Sequence, residues 1–227
     1  MAGTVSVVIP TLDEEAQIAA TVDSAFAAGA AEVFVCDGGS RDRTVEIARG
    51  HGAIVITGET MRARQLNRGA QAARSEALIF LHADTELPPG AAALVTGALE
   101  RWNFGGFRLA FRERSARLRV AAAMINLRTA ITRCPWGDQA QFVRRDELLA
   151  GGGFREIAIM EDYELAVRMK RRGPTGVLPQ KVITSGRRFL EKGVLRTAFT
   201  NWRIVSAWRF GADPESLARM YRTPPSS

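Results

Sequence analysis

Short apolar runs alternate with helical segments through the first hundred residues, and this alternation restricts the fold more than any other feature of the sequence. Strands are predicted at residues 5–9, 32–36, 53–56 and 77–81, and helices at 14–27, 42–49, 61–73 and 89–101. Such alternation predicts an α/β fold with a mainly parallel sheet flanked by helices. Ligands of these sheets bind at the carboxyl ends of the strands, so polar residues there are candidate site residues.

The alternation ends after residue 101. Further strands are predicted at residues 104–111, 139–143, 176–178 and 182–185, and further helices at 115–132, 160–171 and 190–210. Because no long linker interrupts the chain, we expect a single domain over residues 1–222. It divides into the alternating half (1–100), a second half (101–190) and a basic, amphipathic helical extension (190–222). Residues 223–227 are predicted to form a disordered tail.

The net charge of +7 is distributed unevenly along the chain. Residues 1–100 have a balance of −6, whereas residues 101–227 have a balance of +13. A nucleic-acid-binding protein would be more uniformly basic, so nucleic acid is not an expected partner. The two cysteines form neither a disulfide framework nor a zinc site, and the first residues lack the basic region of a signal peptide. We therefore expect a cytoplasmic protein, with the inner face of the membrane as an alternative location.

Two acidic motifs directly follow predicted strands. Asp37 lies in Cys-Asp-Gly-Gly-Ser, where the glycines permit a sharp turn and the carboxylate could accept a hydrogen bond from a base or ribose. The alternative is a plain Asp-Gly turn. In His-Ala-Asp-Thr, His82 and Asp84 alternate on one side of an extended chain, so both could bind one Mg²⁺ or Mn²⁺ ion. The alternative for His82 is a buried core histidine.

Two more acidic motifs occur in the second half. One is Gly-Asp-Gln at 137–139, and the other is Glu161-Asp162 at the start of a predicted helix, where either carboxylate could be a general base or a favourable helix cap. Arginine side chains suit a diphosphate, which makes Arg187 and Arg188 candidates together with the arginines at 62, 64 and 68. For Arg62 and Arg68 we favour a solvated surface position.

Six motifs occur in one order: Ser-Val-Val-Ile-Pro-Thr-Leu-Asp-Glu-Glu (6–15), Asp-Gly-Gly-Ser-x-Asp (37–42), Arg-Gln-Leu-Asn-Arg-Gly (64–69), Leu-His-Ala-Asp-Thr (81–85), Gly-Asp-Gln (137–139) and Glu-Asp (161–162). Together they resemble the inverting nucleotide-sugar transferases of glycosyltransferase family 2, which have the GT-A fold. The resemblance covers residues 4–190. It is greatest to a small bacterial branch with His-Ala-Asp-Thr where most relatives have Asp-x-Asp.

The resemblance implies a role for each motif, with residues 1–100 as a nucleotide-binding half and residues 101–190 as an acceptor and catalytic half. The implied nucleotide-binding residues are Pro10, Thr11, Asp13, Glu15, Asp37, Gly38, Arg64, Asn67 and Ala83. Asp84 and His82 would hold Mn²⁺ or Mg²⁺, and Asp162, beside Glu161, would be the catalytic base. Gly137, Asp138 and Gln139 would lie near the donor sugar or the acceptor, and Arg187 and Arg188 near the diphosphate. The sequence departs from most relatives at Asp13, where Asn is frequent, and at His82.

These residue types suit the transfer of a sugar from a nucleoside-diphosphate sugar, with a UDP-sugar favoured. The leaving diphosphate gains negative charge, which a divalent ion and arginines neutralise. A single displacement needs one carboxylate to deprotonate the acceptor hydroxyl and inverts the anomeric carbon. Neither a Ser-His-Asp nor a Cys-His arrangement suggests a covalent nucleophile.

The basic stretches of the second half leave the acceptor open. Residues 186–209 combine six basic side chains with Leu195, Phe199, Trp202, Val205 and Trp208 at helical spacing, and Val120, Met124, Leu127 and Ile131 form a stripe on the predicted helix 115–132. These faces either pack on the core or lie on an anionic membrane surface, where a lipid or isoprenoid acceptor would be available.

Two other functions compete with a transferase. A degenerate GT-A protein could bind a nucleotide or an anionic membrane without turnover. A sugar-phosphate nucleotidyltransferase should have a Gly-Thr-Arg loop with a lysine after its first strand, whereas this chain has Pro-Thr-Leu-Asp-Glu-Glu at residues 10–15.

Overall fold

The computed structural model describes residues 3–222, apart from the side chains of Lys192, Leu195 and Arg222. Within these residues, eight strands form one sheet in the order β3-β2-β1-β4-β7-β6-β8-β5. The strands are β1 (Val5–Thr11), β2 (Glu32–Asp37), β3 (Ile54–Thr57), β4 (Ala77–Phe80), β5 (Thr85–Glu86), β6 (Phe104–Phe111), β7 (Gln141–Arg144) and β8 (Thr175–Thr184). The predicted tail, residues 223–227, lies outside the described residues.

Helices cover both faces of the sheet. They are α1 (Ile18–Ala27), α2 (Thr44–Gly50), α3 (Arg62–Ala72), α4 (Ala91–Leu99), α5 (Ala116–Thr132), α6 (Arg145–Ala150), α7 (Glu161–Arg172), α8 (Arg187–Lys192), α9 (Val194–Arg209) and α10 (Pro214–Arg222). A 3₁₀ turn, Gly137–Gln139, precedes β7. None of the helices within residues 3–222 has the length and apolar character required to span a lipid bilayer.

The first four strands form a parallel half-sheet, as the strand–helix alternation predicts. Every residue of β1 is buried, which explains its continuous apolar run. Alternate side chains enter different cores, with Val7 on one face of the sheet and Val8 on the other. Thr11 pairs with Asp37, so the loops that follow β1 and β2 emerge side by side.

The second half of the sheet is mixed. Strand β7 runs antiparallel to both β4 and β6, and β6 runs parallel to β8. The two strands predicted at 176–178 and 182–185 are one strand, β8. Its register with β6 shifts between Phe107, opposite Leu178, and Arg108, opposite Lys181. Pro179 lies in the shifted segment and has no amide hydrogen for the ladder, so the sequence there lacks a strand pattern.

Several helix boundaries differ from the predictions. The helix predicted at 14–27 begins only at Ile18, because residues 13–15 bond to the neighbouring loop. The single helix predicted at 190–210 is divided into α8 and α9 at Gly193, which has a φ of +80°. Strand β5 and helix α6, both short, were not predicted, and α10 lies within the helical extension predicted at 190–222.

Candidate active site

The loops after β1 and β2 hold each other in place. The carboxylate of Asp13 accepts a hydrogen bond from the Arg41 amide at 2.7 Å, and that of Glu15 accepts one from the Arg43 amide at 3.0 Å. Asp13 has a φ of +54°, a left-handed conformation that Asp and Asn tolerate better than most residues. Because both Asp and Asn tolerate this conformation, either residue can occupy position 13. The described contacts of Asp13 and Glu15 therefore shape the loop pair.

Asp37 is buried at the end of β2, and its carboxylate caps its own loop. It accepts hydrogen bonds from the amides of Gly39 at 2.9 Å and Ser40 at 3.1 Å, and from the Ser40 hydroxyl. The turn keeps Gly38 against β1, where its amide donates to the Thr11 carbonyl at 2.9 Å. The described contacts of Asp37 are thus those of an Asp-Gly turn, and this turn lies at the carboxyl end of β2, where a nucleotide is predicted to bind.

Gln65 joins the two strand ends, although sequence reasoning did not select it. Its side-chain amide donates to the carbonyls of Thr11 at 2.8 Å and Cys36 at 2.7 Å. The nearby Oγ1 of Thr11, which follows Pro10, is buried and has no hydrogen-bond partner within the described part of the chain. A buried hydroxyl without a partner is unusual, and it marks the end of β1 as a place where a ligand could bond.

Three of the predicted nucleotide-binding residues have other partners in the structure. Arg64 pairs with Glu59 and, at 2.9 Å, with Glu156. The Asn67 amide both donates to and accepts from the backbone of Phe154, at 2.9 and 2.8 Å. The carbonyl of Ala83 accepts from the Thr21 hydroxyl at 2.7 Å. These contacts connect α3 to the segment before α7, and the loop after β4 to α1.

The predicted base, Asp162, lies in the first turn of α7, and both of its carboxylate oxygens accept hydrogen bonds. Oδ2 accepts from the Gly137 amide at 2.6 Å, and Oδ1 accepts from the Tyr163 amide at 2.7 Å. A Cβ atom on Gly137 would lie 2.8 Å from Oδ2 of Asp162 and 3.0 Å from Nε2 of His82. The structure therefore brings together the Gly-Asp-Gln, Glu-Asp and His-Ala-Asp-Thr motifs, and glycine is required where they meet.

Arg62 links two of these motifs, which corrects its predicted position on the solvated surface. Its Nε lies 2.8 Å from a carboxylate oxygen of the buried Glu161, and its Nη2 bonds to Nε2 of His82. Burial, followed by the negative charge of Asp162, raises the pKa of Glu161, whereas Arg62 lowers it. Burial and the Arg62 charge lower the pKa of His82 well below its usual value. His82 is therefore a neutral hydrogen-bond acceptor toward Arg62.

Asp84 offers a carboxylate suited to a divalent ion. Its only described side-chain hydrogen bond, from the Thr85 hydroxyl, is long at 3.3 Å. Burial, and then the negative charge of Asp84, raises the pKa of Glu14, which shows that two carboxylates face the same region. Residues 3–222 hold no group of three or more His, Cys, Asp or Glu side chains that could bind a metal. Mg²⁺ commonly uses one or two carboxylates together with substrate phosphates, and Asp84 fits that arrangement.

A cavity of about 1170 Å³ opens beside these residues. Acidic and basic groups line part of it, including Asp84, Asp138, Asp162, Arg128 and Arg188. Its wall is mostly apolar, with residues from α5, α9 and the segment before α7 such as Ala121, Ile125, Ile159, Ala198 and Val205. The cavity thus combines charged groups with a mostly apolar wall.

Asp138 and Gln139 have different environments. The Gln139 side chain accepts from Arg128 at 3.0 Å and Thr129 at 2.8 Å and donates to the Phe107 carbonyl at 3.0 Å, so its described contacts are internal. Oδ1 of Asp138 is buried without a hydrogen-bond partner among residues 3–222. Burial raises the pKa of Asp138 to about 6, with Arg128 acting in the opposite direction.

Two arginines approach the cavity beside aromatic rings. The Arg128 guanidinium lies 3.6 Å from the centroid of Trp136, and that of Arg188 lies 4.0 Å from the centroid of Tyr221. Each has a buried Nε with no hydrogen-bond partner in the part of the chain that is described. Arg187 is exposed, 3.9 Å from Glu14. Sequence reasoning missed Arg128 and Trp136; only Trp136, which directly precedes the Gly-Asp-Gln motif, had a signal that could have identified it.

Comparisons with known proteins identify a family and a fold. The model of the family described as glycosyl transferase family 2 matches residues 6–140. A structure of glucosyl-3-phosphoglycerate synthase from Mycobacterium tuberculosis with Mn²⁺, UDP and phosphoglyceric acid is 22% identical, with a TM-score of 0.58 over 79% of this chain and 69% of that one. A structure of S. aureus TarS 1-349 with UDP-GlcNAc is 18% identical, with a TM-score of 0.62 over 80% and 58%.

The similarity to these two structures shows that this chain shares their fold. A search among curated protein sequences gives no match. The family model, however, covers more than half of the chain, including the loops after β1 and β2, Asp84 and the Gly-Asp-Gln turn. The protein therefore belongs to glycosyltransferase family 2, has the GT-A fold and is a glycosyltransferase.

Proposed function

We propose that this protein moves a sugar from a nucleoside-diphosphate sugar, with UDP as the favoured nucleotide, to an acceptor hydroxyl with inversion at the anomeric carbon. The observation that carries the proposal is that Asp84 and Asp162 line one cavity and that the Gly137 amide orients Asp162. The complexes of structural relatives with UDP or UDP-GlcNAc support the choice of donor.

Asp162 is the proposed general base. Hydrogen bonds from the amides of Gly137 and Tyr163 fix its orientation, and Asp162 lines the cavity. A base must lie within hydrogen-bonding reach of the hydroxyl that it deprotonates, and an acceptor in the cavity meets this requirement. Glu161 is turned toward Arg62, so its proposed part is to position that arginine.

Asp84 is the proposed ligand of Mn²⁺ or Mg²⁺, which occur in complexes of the mycobacterial synthase with UDP. Bound there, the ion would neutralise charge on the leaving diphosphate. His82 was a second candidate ligand, but its Nε2 accepts a hydrogen bond from the cation Arg62. We therefore propose Asp84 as the ligand from this motif and assign His82 to the positioning of Arg62.

Arg187 and Arg188 are proposed to face the diphosphate, and the ends of β1 and β2 to face the nucleoside. Arg188 supports this role because it lines the cavity and its buried Nε has no hydrogen-bond partner among the described residues. Thr11 supports the second role through its unpartnered buried hydroxyl. Asp13, Glu15, Asp37 and Gly38 then act mainly by shaping the loops around the nucleoside.

The mostly apolar wall of the cavity favours an acceptor with an apolar part, such as a lipid or isoprenoid alcohol. Pockets bind ligands through apolar walls with a few placed polar groups, which is the composition of this cavity. An acceptor lying along it would place its hydroxyl near Asp162 and its tail between α5 and α9.

Titration of UDP into the protein with and without Mn²⁺, combined with release of UDP from UDP-sugars, tests the proposal. Asp84→Ala should lose metal-dependent UDP binding, whereas Asp162→Asn should bind UDP normally and lose turnover. Asp146→Asn, with a side chain that is 96% exposed, is the matched control and should change neither property. Wild-type turnover in Asp162→Asn would refute the assignment of the base. UDP binding by the wild type without turnover on any donor would instead favour a degenerate binding protein.

A further inference from the structure

Helix α5 is apolar on two opposite faces, which is unusual for a helix at a protein surface. Its inner face, with Leu118, Ala122 and Ile125, packs toward the sheet. Its outer face carries Val120, Met124, Leu127 and Ile131, which are between 56 and 75% exposed. An ordinary surface helix is polar on its outer face. The stripe noted in the sequence therefore does not pack on the core.

Helix α9 contacts α5 and extends the apolar surface. Phe199 and Trp202 are both more than half exposed, and their rings are stacked with centroids 6.0 Å apart. Val205 and Trp208, expected on the same face, pack against the core instead, and the Leu195 side chain lies outside the described residues. We call the combined surface the outer patch, defined as Val120, Met124, Leu127, Ile131, Phe199 and Trp202.

The charged side chains of the two helices that carry the outer patch are all positive. Helices α5 and α9 contain six arginines and no Asp or Glu. Arg117, Arg119, Arg196 and Arg203 are exposed, and Arg203 lies 5.9 Å from the centroid of Phe199. Two copies of this patch facing each other would bring like charges together, which opposes self-association. An anionic headgroup layer complements both the arginines and the apolar side chains.

The outer patch is continuous with the cavity of the active site. Met124 and Trp202 are exposed and also line the cavity that Asp162 lines. A molecule held by its tail in a headgroup layer could therefore extend its hydroxyl between α5 and α9 to the base.

We infer that the outer patch binds the surface of an anionic bilayer and that the acceptor enters from this bilayer between Met124 and Trp202. The binding surface stands on its own observations, whereas the entry route rests on the proposed transferase function. The exposed arginines provide electrostatic attraction, and the apolar stripe inserts among the headgroups.

Flotation of the purified full chain with vesicles tests the inference. Vesicles of phosphatidylcholine containing phosphatidylglycerol should carry the wild-type protein, and pure phosphatidylcholine vesicles should carry much less. Leu127→Ser should weaken binding roughly tenfold or more, because one buried leucine side chain is lost. The double change Arg117→Gln and Arg119→Gln should weaken it roughly tenfold or more, and added salt should weaken wild-type binding.

Matched changes outside the patch provide the controls. Ile54→Ser, at a 49% exposed position on β3, and Arg49→Gln, at the end of α2, should leave vesicle binding unchanged. Leu127 lies outside the cavity, so metal-dependent UDP binding should also persist in Leu127→Ser. If circular dichroism shows that Leu127→Ser does not fold, Val120→Ser replaces it.

Three results would overturn the inference. The wild type could fail to float with anionic vesicles, or Leu127→Ser could bind them as well as Ile54→Ser does. Sedimentation velocity could instead show that Leu127→Ser converts a dimer to a monomer, which would identify a second copy as the occupant. Because UDP binding is measured on the same samples, failure of the membrane surface is distinguishable from failure of the transferase function.

Discussion

The backbone amide of Gly137 lies 2.6 Å from Oδ2 of Asp162, so a turn before β7 orients the proposed base at the start of α7. The two residues are 25 positions apart, and the close approach leaves no space for a side chain on Gly137. The orientation of Asp162 therefore depends on a residue that carries no functional group of its own.

Gly137→Ala should lower kcat by about a hundredfold, because the added methyl group displaces Asp162 or His82 and small displacements of a catalytic group cost about this much. Metal-dependent UDP binding should be preserved. Gly97→Ala is the control, since a Cβ at that helical position meets no atom within 4 Å. Steady-state kinetics that show equal kcat for the two variants would contradict this account.

Arg62→Gln should destabilise the protein by about 2–3 kcal/mol near neutral pH, because it leaves the buried Glu161 carboxylate without its cation. The pKa of Glu161, already raised, should rise further, so the deficit should shrink as the pH falls and Glu161 becomes protonated. Urea unfolding at acidic and neutral pH measures this. Adding Glu161→Gln should restore part of the loss, whereas Arg43→Gln, in an exposed pair, should cause no measurable change. A deficit independent of pH would be inconsistent with an uncompensated Glu161.

Asp138 should make stability depend on pH between its unfolded and folded pKa values. Its pKa rises from 3.8 to about 6 on folding, so the folded state binds the proton more tightly. The resulting stabilisation is fully present below the unfolded value and is lost as the pH rises through about 6. Asp138→Asn should remove this dependence and gain up to roughly 3 kcal/mol relative to wild type above the folded value. Unfolding curves for both proteins across this range provide the measurement, and parallel pH profiles would contradict it.

Gln65→Leu should loosen the junction of β1 and β2 while keeping a similar side-chain volume. Two buried carbonyls, of Thr11 and Cys36, lose their bonds to Gln65, at a cost of about 1–3 kcal/mol. We expect a higher KM for the donor with a nearly unchanged kcat, because the nucleotide loops rather than the base are affected. Gln71→Leu, at an exposed position on the same helix, is the control. A loss of kcat at unchanged KM would place Gln65 in the chemistry instead.

The parallel half of the sheet could be predicted because its strands are buried on both faces and leave continuous apolar runs, as in β1. The order of the motifs also identified the family. Asp84 and Asp162, which belong to two of these motifs, line one cavity in the structure. The partners of single side chains could not be predicted, because they depend on long-range packing. The sequence alone favoured a surface position for Arg62, whereas in the structure it contacts both Glu161 and His82. Gln139 resembled a ligand contact, but Arg128 and Thr129 engage it.

The sheet has a seam where the parallel strand β4 meets the antiparallel strand β7. Apart from Arg187 and Arg188, the residues proposed to hold the donor precede β7 in the sequence, and the family match ends at residue 140, one residue before β7 begins. The proposed base and most of the helices that line the cavity follow β7 in the sequence, with α5 as the exception. We therefore expect donor choice and acceptor choice to be separable traits. Exchange of α9 and α10 between relatives should transfer acceptor preference without altering the sugar nucleotide that each enzyme uses.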